Sequence, residues 1–183
     1  VFMRQDREWG LLKAVRGHGV AQSLEQLSVL EVGCGSGDNL AHLRLLGARP
    51  GRLHGIELLD DRVRTARDRW PELGIVQGNA AELPYRDRSF DIVLQSTVFT
   101  SLLDPGFQEQ VPREMVRVLR RDGWILWYDF RVNNPWNPDV RGVPKRRVKA
   151  LFPGMASAFY PVTLAPPLIR ALVPRCTWLA RLL

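Results

Sequence analysis

The sequence predicts an α/β protein with a doubly wound, mostly parallel sheet, and three observations predict it. Short apolar runs alternate with helix-patterned segments between residues 28 and 130, which implies parallel strands with helices covering both faces. The first apolar run ends in a glycine-rich loop that opens a helix, the place where such sheets hold ligands. The composition is globular, with 45% hydrophobic and 25% charged residues in a chain of 183, enough for one domain with a sizeable core.

Residues 2–16 (FMRQDREWGLLKAVR) read as a helix, with Trp9, Leu12 and Val15 on one face. SVLEVG is a short buried strand, and GDNLAHLRLL a helix starting at the glycines. LHGIEL is the second strand; DDRVRTARDRW is a charged helix with Asp60 or Asp61 as its cap. GIVQG and FDIVLQS are the third and fourth strands. VPREMVRVLRR is a helix with Pro112 in its first turn, Arg121-Asp122-Gly123 a turn, and WILWYDF the fifth strand. Beyond Phe130 the texture changes. VNNPWNPDVRGVP is a Pro/Asn-rich loop and KRRVKALF a short basic helix. ASAFYPVTLAP is the candidate sixth strand, followed by the short apolar helical pieces PLIRALV and TWLARLL.

Several function classes are set aside. Cys34 and Cys176 are the two cysteines, and without a Cys-x-x-Cys or Cys/His cluster no metal site is expected. The first ten residues, VFMRQDREWG, carry charges where a signal peptide is apolar, so a reducing cytoplasm is the expected location. Residues 150–169 lack charge, but Pro153, Pro161, Pro166 and Pro167 break any membrane-spanning helix. The net charge of +7 favours anionic partners or is simply a solvated basic surface.

The stretch VLEVGCGSGDNL carries the chemistry. Glycine lets the backbone take positive φ and lets a ligand approach, and the helix behind it offers free N–H groups. A dinucleotide fingerprint would place glycine at the sixth position, where this chain has Asp38, an anion that would repel a pyrophosphate. That tells against a nicotinamide oxidoreductase.

Glu31-x-Gly33-x-Gly35-x-Gly37 instead resembles the first motif of the class I S-adenosylmethionine-dependent methyltransferases, and the resemblance covers residues 28–130. Glu57 stands where that family's acid accepts the ribose hydroxyls. Gly78-Asn79-Ala80 with Leu83-Pro84 is similar to the segment flanking the adenine, with Asn79 replacing the usual Asp. Phe90-Asp91-Ile92-Val93 matches the fourth strand, and Arg120-Arg121-Asp122-Gly123-Trp124 is a variant of the turn before the fifth, with Asp122 replacing Pro.

The resemblance implies a Rossmann-like sheet of order 3-2-1-4-5-7-6 and S-adenosylmethionine as cofactor. The residues it implies at the cofactor are Glu31, Gly33, Cys34, Gly35, Gly37, Glu57, Leu58, Asn79, Ala80 and Gln95. It divides a single domain, residues 1–183, into a helical lead-in (1–27), a cofactor-binding core (28–130) and an acceptor-side segment (131–183). No β-branched run remains for a seventh strand, so the edge of strand five, with Trp124, Leu126 and Tyr128, is expected to be open, and the natural chain to continue past Leu183.

For the acceptor, the segment QSTVFTSLLDP has neither the Pro-rich aromatic run used to hold an amino group nor a Pro-Cys pair. Thr100 and Ser101 stand where many small-molecule members carry a His pair; they can orient a substrate but are poor bases. Asp129, ending the fifth strand, and His18, in the loop before the first, are the candidate catalytic residues; His42 and His54 read as packing residues. Arg141 to Lys149 is a solvated helix face or an anchor for an anion, with Trp127, Phe130 and Trp136 as an apolar wall or core.

The function expected is methyl transfer to a small-molecule acceptor at oxygen. The rivals are an RNA-modifying enzyme, for which no RNA-binding module is visible, and a non-catalytic cofactor-binding or scaffolding protein. A nucleic-acid partner is not expected; monomer and dimer both remain open.

Overall fold

The computed structural model describes residues 24–135 and 137–160. The helix read over 2–16, His18, Trp136 and the pieces PLIRALV and TWLARLL lie outside the described residues. Five strands, β1 (Val29–Val32), β2 (Leu53–Glu57), β3 (Gly74–Gln77), β4 (Phe90–Ser96) and β5 (Leu119–Tyr128), form one sheet of order β3-β2-β1-β4-β5. Every pairing is parallel. The helices are α1 (Asp38–Leu45), α2 (Asp60–Arg69), α3 (Pro105–Val118) and α4 (Lys145–Leu151).

The strands read as nearly unbroken apolar runs because both faces are covered. In β1 all four residues are buried. Val29 packs into a core with Leu40 and Leu43 of α1 and Val63 and Ala66 of α2. Its neighbour Leu30 points the other way, into a core with Val111, Met115 and Val118 of α3 and Val148 and Leu151 of α4. Each such fully buried aliphatic side chain contributes about 1.5–3 kcal/mol over its exposed state. The strand order reverses at β1, where β2 lies on one side and β4 on the other, so the crevice between their C-terminal ends is the ligand position of this topology.

Local structure departs from the sequence reading in four places. Neither Asp60 nor Asp61 caps α2. The cap is Leu59, and both acids stand in the first turn, where they still meet the positive end of the helix dipole. Helix α3 begins six residues before Val111: Asp104 is its cap, accepting from the Phe107 amide at 3.1 Å, and Pro105 takes the first-turn place. Pro112 is therefore inside the helix, where it withholds an N–H from the carbonyl of Gln108. Arg121-Asp122-Gly123 does not precede the fifth strand but lies within it. Phe90 pairs with Leu119 and Ile92 with Trp124, so residues 120–123 bulge opposite Asp91 alone. Glycine is required there, since a Cβ at Gly123 would stand 2.8 Å from the Asp91 carbonyl oxygen. Finally, Ala156 to Tyr160, the described part of the sixth-strand candidate, is irregular chain. Among the described residues β5 is thus the last strand of the sheet.

Candidate active site

A cleft of about 450 Å³ opens at the C-terminal ends of the strands, within the size range of small-ligand sites. Its cofactor side is built from the loops after β1, β2 and β3. Glu31, Gly33, Cys34, Gly35, Glu57, Leu58, Asn79 and Ala80 line it, eight of the positions at which the sequence reading places the cofactor.

The glycine loop folds back on β2, with the amides of Gly33 and Cys34 donating to the Ile56 carbonyl at 2.9 and 3.1 Å. Gly33 and Gly35 are glycine for different reasons. A Cβ on Gly33 would stand 2.4 Å from Val98 Cγ2, so the post-β4 loop is seated directly on this residue. Gly35 has φ 54°, and a Cβ there would meet nothing within 4 Å; a side chain would occupy room beside the cleft that a ligand can use. Gly37, also expected at the cofactor, does not line the cleft; a Cβ on it would approach the Trp70 ring at 3.1 Å.

Glu57 is buried, and both of its carboxylate oxygens are engaged. Oε2 accepts from the Gly35 amide at 2.9 Å; Oε1 accepts from the Leu58 and Leu59 amides at 2.9 and 3.0 Å. An ionised carboxylate offers about four lone-pair sites, so the group that fixes the loop keeps capacity for a hydroxyl in the cleft. Glu31 is buried and accepts from Asn39 Nδ2. The Cys34 thiol lies against β2, 2.6 Å from where a Gly55 Cβ would stand. Burial, reinforced by the Glu31 and Glu57 carboxylates, pushes this thiol up, so it is a protonated packing group. Asn79 turns Oδ1 to the Ala81 amide at 2.9 Å, leaving its amide nitrogen, a donor, to offer a ligand.

Two other expected residues stand behind the wall. Gln95 is fully buried; Oε1 accepts from the Val98 amide at 3.1 Å and Nε2 donates to the Tyr128 carbonyl at 3.3 Å. Asp129 does not line the cleft. Its Oδ2 accepts from the amides of Phe99 and Thr100 at 3.0 and 3.3 Å, and Oδ1 from Phe130 at 3.1 Å. Burial pushes the Asp129 carboxyl up, opposed first by the Thr100 hydroxyl and then by the Phe130, Thr100 and Phe99 amides. The geometry corrects the reading of Asp129 as a base: it is a loop-capping carboxylate.

What Gln95 and Asp129 hold is the acceptor-side wall, formed by Ser96, Thr97, Val98, Ser101, Leu102 and Phe107. Thr97 has φ 60°, an unfavourable conformation for a β-branched residue. The Tyr128 carbonyl accepts from its amide at 2.8 Å, and its own carbonyl accepts from the Thr100 hydroxyl at 3.3 Å. Of the two hydroxyls read from the sequence, Ser101 faces the cleft while Thr100 is buried. Ser96 and Thr97 follow from the rule that strand ends bind ligands. Phe107 is reached only by recognising Asp104-Pro105 as a helix start, a signal present in the sequence.

His54 is half-buried and packs edge-on to Phe90 at 5.5 Å and Tyr85 at 6.1 Å, and burial lowers its pKa, so it reads as a packing residue. Trp127 packs against the core, tilted on Phe99 at 4.3 Å and edge-on to Phe152 at 5.7 Å. Among the described residues no group of three His, Cys, Asp or Glu side chains is placed to hold a metal ion, and no helix is long and apolar enough to cross a membrane.

The lining carries three carboxylates, Glu31, Asp38 and Glu57, against one guanidinium, Arg62. Such a set suits a cationic ligand bearing hydroxyls and disfavours a pyrophosphate. Fold and site together define a doubly wound α/β protein with a carboxylate-lined ligand cleft at its switch point. Residues 30–127 match the family described as "Methyltransferase domain". The chain belongs to this methyltransferase-domain family, within the class I S-adenosylmethionine-dependent enzymes, and S-adenosylmethionine is its cofactor.

The chain is 37% identical over 126 residues to phthiotriol/phenolphthiotriol dimycocerosates methyltransferase 1 of Mycobacterium ulcerans, covering 66% of this chain and 45% of that protein. It is 39% identical over 110 residues to the fatty-acid O-methyltransferase of Mycolicibacterium smegmatis, covering 59% and 39%. A solved S-adenosylmethionine-dependent methyltransferase from Methanosarcina mazei superimposes with a TM-score of 0.60 at 21% identity, covering 69% of this chain and 77% of that one. That structural likeness shows the fold alone. The chain spans less than half the length of these two curated relatives.

Proposed function

We propose that this protein transfers the methyl group of S-adenosylmethionine to an oxygen atom of a small, lipid-like acceptor. Residues 28–130 are its cofactor-binding core. The observation that carries the proposal is the division of the cleft into a carboxylate-bearing side on β1, β2 and β3 and a hydroxyl-and-apolar side after β4. The names of the two curated relatives, one a fatty-acid O-methyltransferase, support the acceptor class.

Bound in the cleft, the cofactor supplies an electrophilic methyl carbon on a cationic sulfur. The chain supplies position. Glu57 fixes the glycine loop and accepts from hydroxyls; Gly35 leaves the room for approach; Glu31 and Asp38 place negative charge beside a cation. On the other side Leu102, Phe107 and Val98 exclude water and offer apolar contact, and Ser96, Thr97 and Ser101 orient a polar acceptor group. Alignment of this kind is worth up to ~7–11 kcal/mol. Among the described residues the acceptor-side wall holds no ordinary base, which favours an acceptor that is already ionised, such as a carboxylate, over a neutral alcohol.

The test is an acceptor screen by mass spectrometry with the cofactor present, comparing fatty acids, lipid alcohols and RNA. Gain of one methylene by a fatty acid or lipid alcohol supports the proposal. Methylation of RNA alone, or tight cofactor binding with no transfer to any of them, replaces it by one of the rivals. Preference for a nicotinamide dinucleotide in titration calorimetry removes it.

A further inference from the structure

The surplus positive charge of this protein is confined to one part of the chain. All 19 acidic residues precede position 140, so residues 140–183 hold eight Arg and Lys and no acid, while the first 139 residues carry a net charge of −1. Five of the eight cations, Arg141, Lys145, Arg146, Arg147 and Lys149, lie on and just before α4. That helix buries Val148 and Leu151 in the core and leaves Lys145, Arg146 and Lys149 exposed. Two of these cations bracket an aromatic ring: Lys145 Nζ and Lys149 Nζ lie 5.4 and 6.0 Å from the centroid of Phe159. Tyr160, next along, is exposed.

The basic segment is tied to the acceptor side of the cleft. The Arg141 amide donates to the Thr100 carbonyl at 2.8 Å. Arg147 Nη2 donates to Gln108 Oε1 at 3.3 Å, and Gln108 Nε2 donates to the Leu102 carbonyl. Leu102 and Phe107 line the cleft, and Phe107 and Leu103 are both more than 40% exposed at its rim. A flat anionic partner seated on α4 would therefore lie beside the acceptor's way in.

We propose that the basic face of α4, with Phe159 and Tyr160 beside it, docks the protein onto an anionic lipid surface. Charge complementarity selects an anionic partner. The neighbouring side chains select a bilayer over a nucleic acid: residues 150–160 contain no charged side chain, Leu151 and Phe152 are taken up by the core, and Phe159 and the exposed Tyr160 lie next to the cations of α4. Apolar and aromatic side chains among cations suit the headgroup boundary of a membrane, where stems and rings enter and ammonium groups stay at the surface. The docking surface is independent of the chemistry in the cleft; its value for delivering a lipid acceptor rests on the proposed function.

The test uses the full chain without cofactor or acceptor, so failure of the methyl-transfer reading leaves its outcome untouched. Co-sedimentation is measured with vesicles of pure phosphatidylcholine and with an equal mixture of phosphatidylcholine and phosphatidylglycerol. The expected result is binding to the mixed vesicles only, weakened by added salt. Replacing the three exposed cations together (Lys145→Gln, Arg146→Gln, Lys149→Gln) should weaken binding about a hundredfold, at roughly fivefold per charge. The salt arm needs no variant, so the proposal remains testable if the triple variant folds poorly. The proposal is overturned by no binding to mixed vesicles, equal binding to both kinds, or wild-type binding by a folded triple variant. Binding to a single-stranded RNA oligonucleotide as tight as to the mixed vesicles also overturns it.

Discussion

Glu57 Oε2 accepts a hydrogen bond from the Gly35 amide at 2.9 Å, joining the end of β2 to the loop after β1. One buried carboxylate thus shapes the cofactor loop from the same position at which it faces the cleft.

Because of that double role, Glu57→Ala should reduce S-adenosylmethionine affinity at least tenfold. Hydrogen bonds to a charged group are worth about 1.5–3 kcal/mol each. Part of the loss should persist for an analogue lacking the ribose, since the Gly35, Leu58 and Leu59 amides lose their acceptor too. Calorimetric titration of both ligands separates the two parts; an unchanged affinity for the ribose-lacking analogue would show that the loop does not need Glu57.

Gly33 and Gly35 should respond differently to the same substitution. Gly33→Ala adds the strain of φ 65° and drives its methyl to within 2.4 Å of Val98 Cγ2, and overpacking of this kind costs about 1–3 kcal/mol. Its melting temperature should fall clearly. Gly35→Ala meets no neighbour, so its stability cost should be limited to the strain of positive φ, about 1–2 kcal/mol, and its main effect should be weakened cofactor binding. Thermal melts with and without S-adenosylmethionine distinguish the two; equal ligand-induced shifts would contradict the assignment of Gly35.

Asp129→Asn keeps one acceptor oxygen but loses the charge that receives the Phe99, Thr100 and Phe130 amides. Turnover should fall with little change in cofactor affinity, because the strained turn at Thr97 is less firmly held. The pH–rate profile should keep its wild-type shape. Disappearance of one limb in the variant would return Asp129 to the reacting atoms.

Glu114 fastens the segment after β3 to α3. Its Oε2 accepts from the Leu83 amide at 2.7 Å, and Arg117 pairs with the same carboxylate while donating to the Leu83 and Tyr85 carbonyls. The Arg117 hydrogen bond holds the Glu114 carboxyl below its ordinary value, against the opposing effect of burial. A carboxyl depressed by folding stabilises the fold above its unfolded pKa, and that stability is lost as pH falls through the folded pKa. Glu114→Gln should therefore cost about 1 kcal/mol at neutral pH, and the difference from wild type should shrink in acid. Urea unfolding at neutral pH and below the ordinary carboxylate range measures it; a pH-independent difference would mean that packing, not ionisation, is responsible.

The sequence by itself determined the alternation of strands and helices, the glycine loop and the acid at the end of β2, while the strand order followed from the family resemblance. These are carried by local signals: apolar runs buried on both faces, glycines at a backbone turn, and an acid at a strand end. Eight of the ten residues expected at the cofactor line the cleft because their places are fixed by the strand they terminate. Tertiary structure decided what the side chains do once there. The Cys34 thiol, Gln95 and Asp129 all lie near strand ends, yet each turns to a partner distant in sequence: β2, the Tyr128 carbonyl, and the amides of Phe99 and Thr100. Strand periodicity cannot assign them, because beyond the last ladder pair the chain direction is set by whichever buried amide needs an acceptor. On the acceptor side the conformation of the turn at Thr97 was hidden for the same reason. Thr97 adopts its unfavourable φ in a turn held by the Tyr128 carbonyl on one side and the Asp129 carboxylate on the other, and no local preference of threonine announces it.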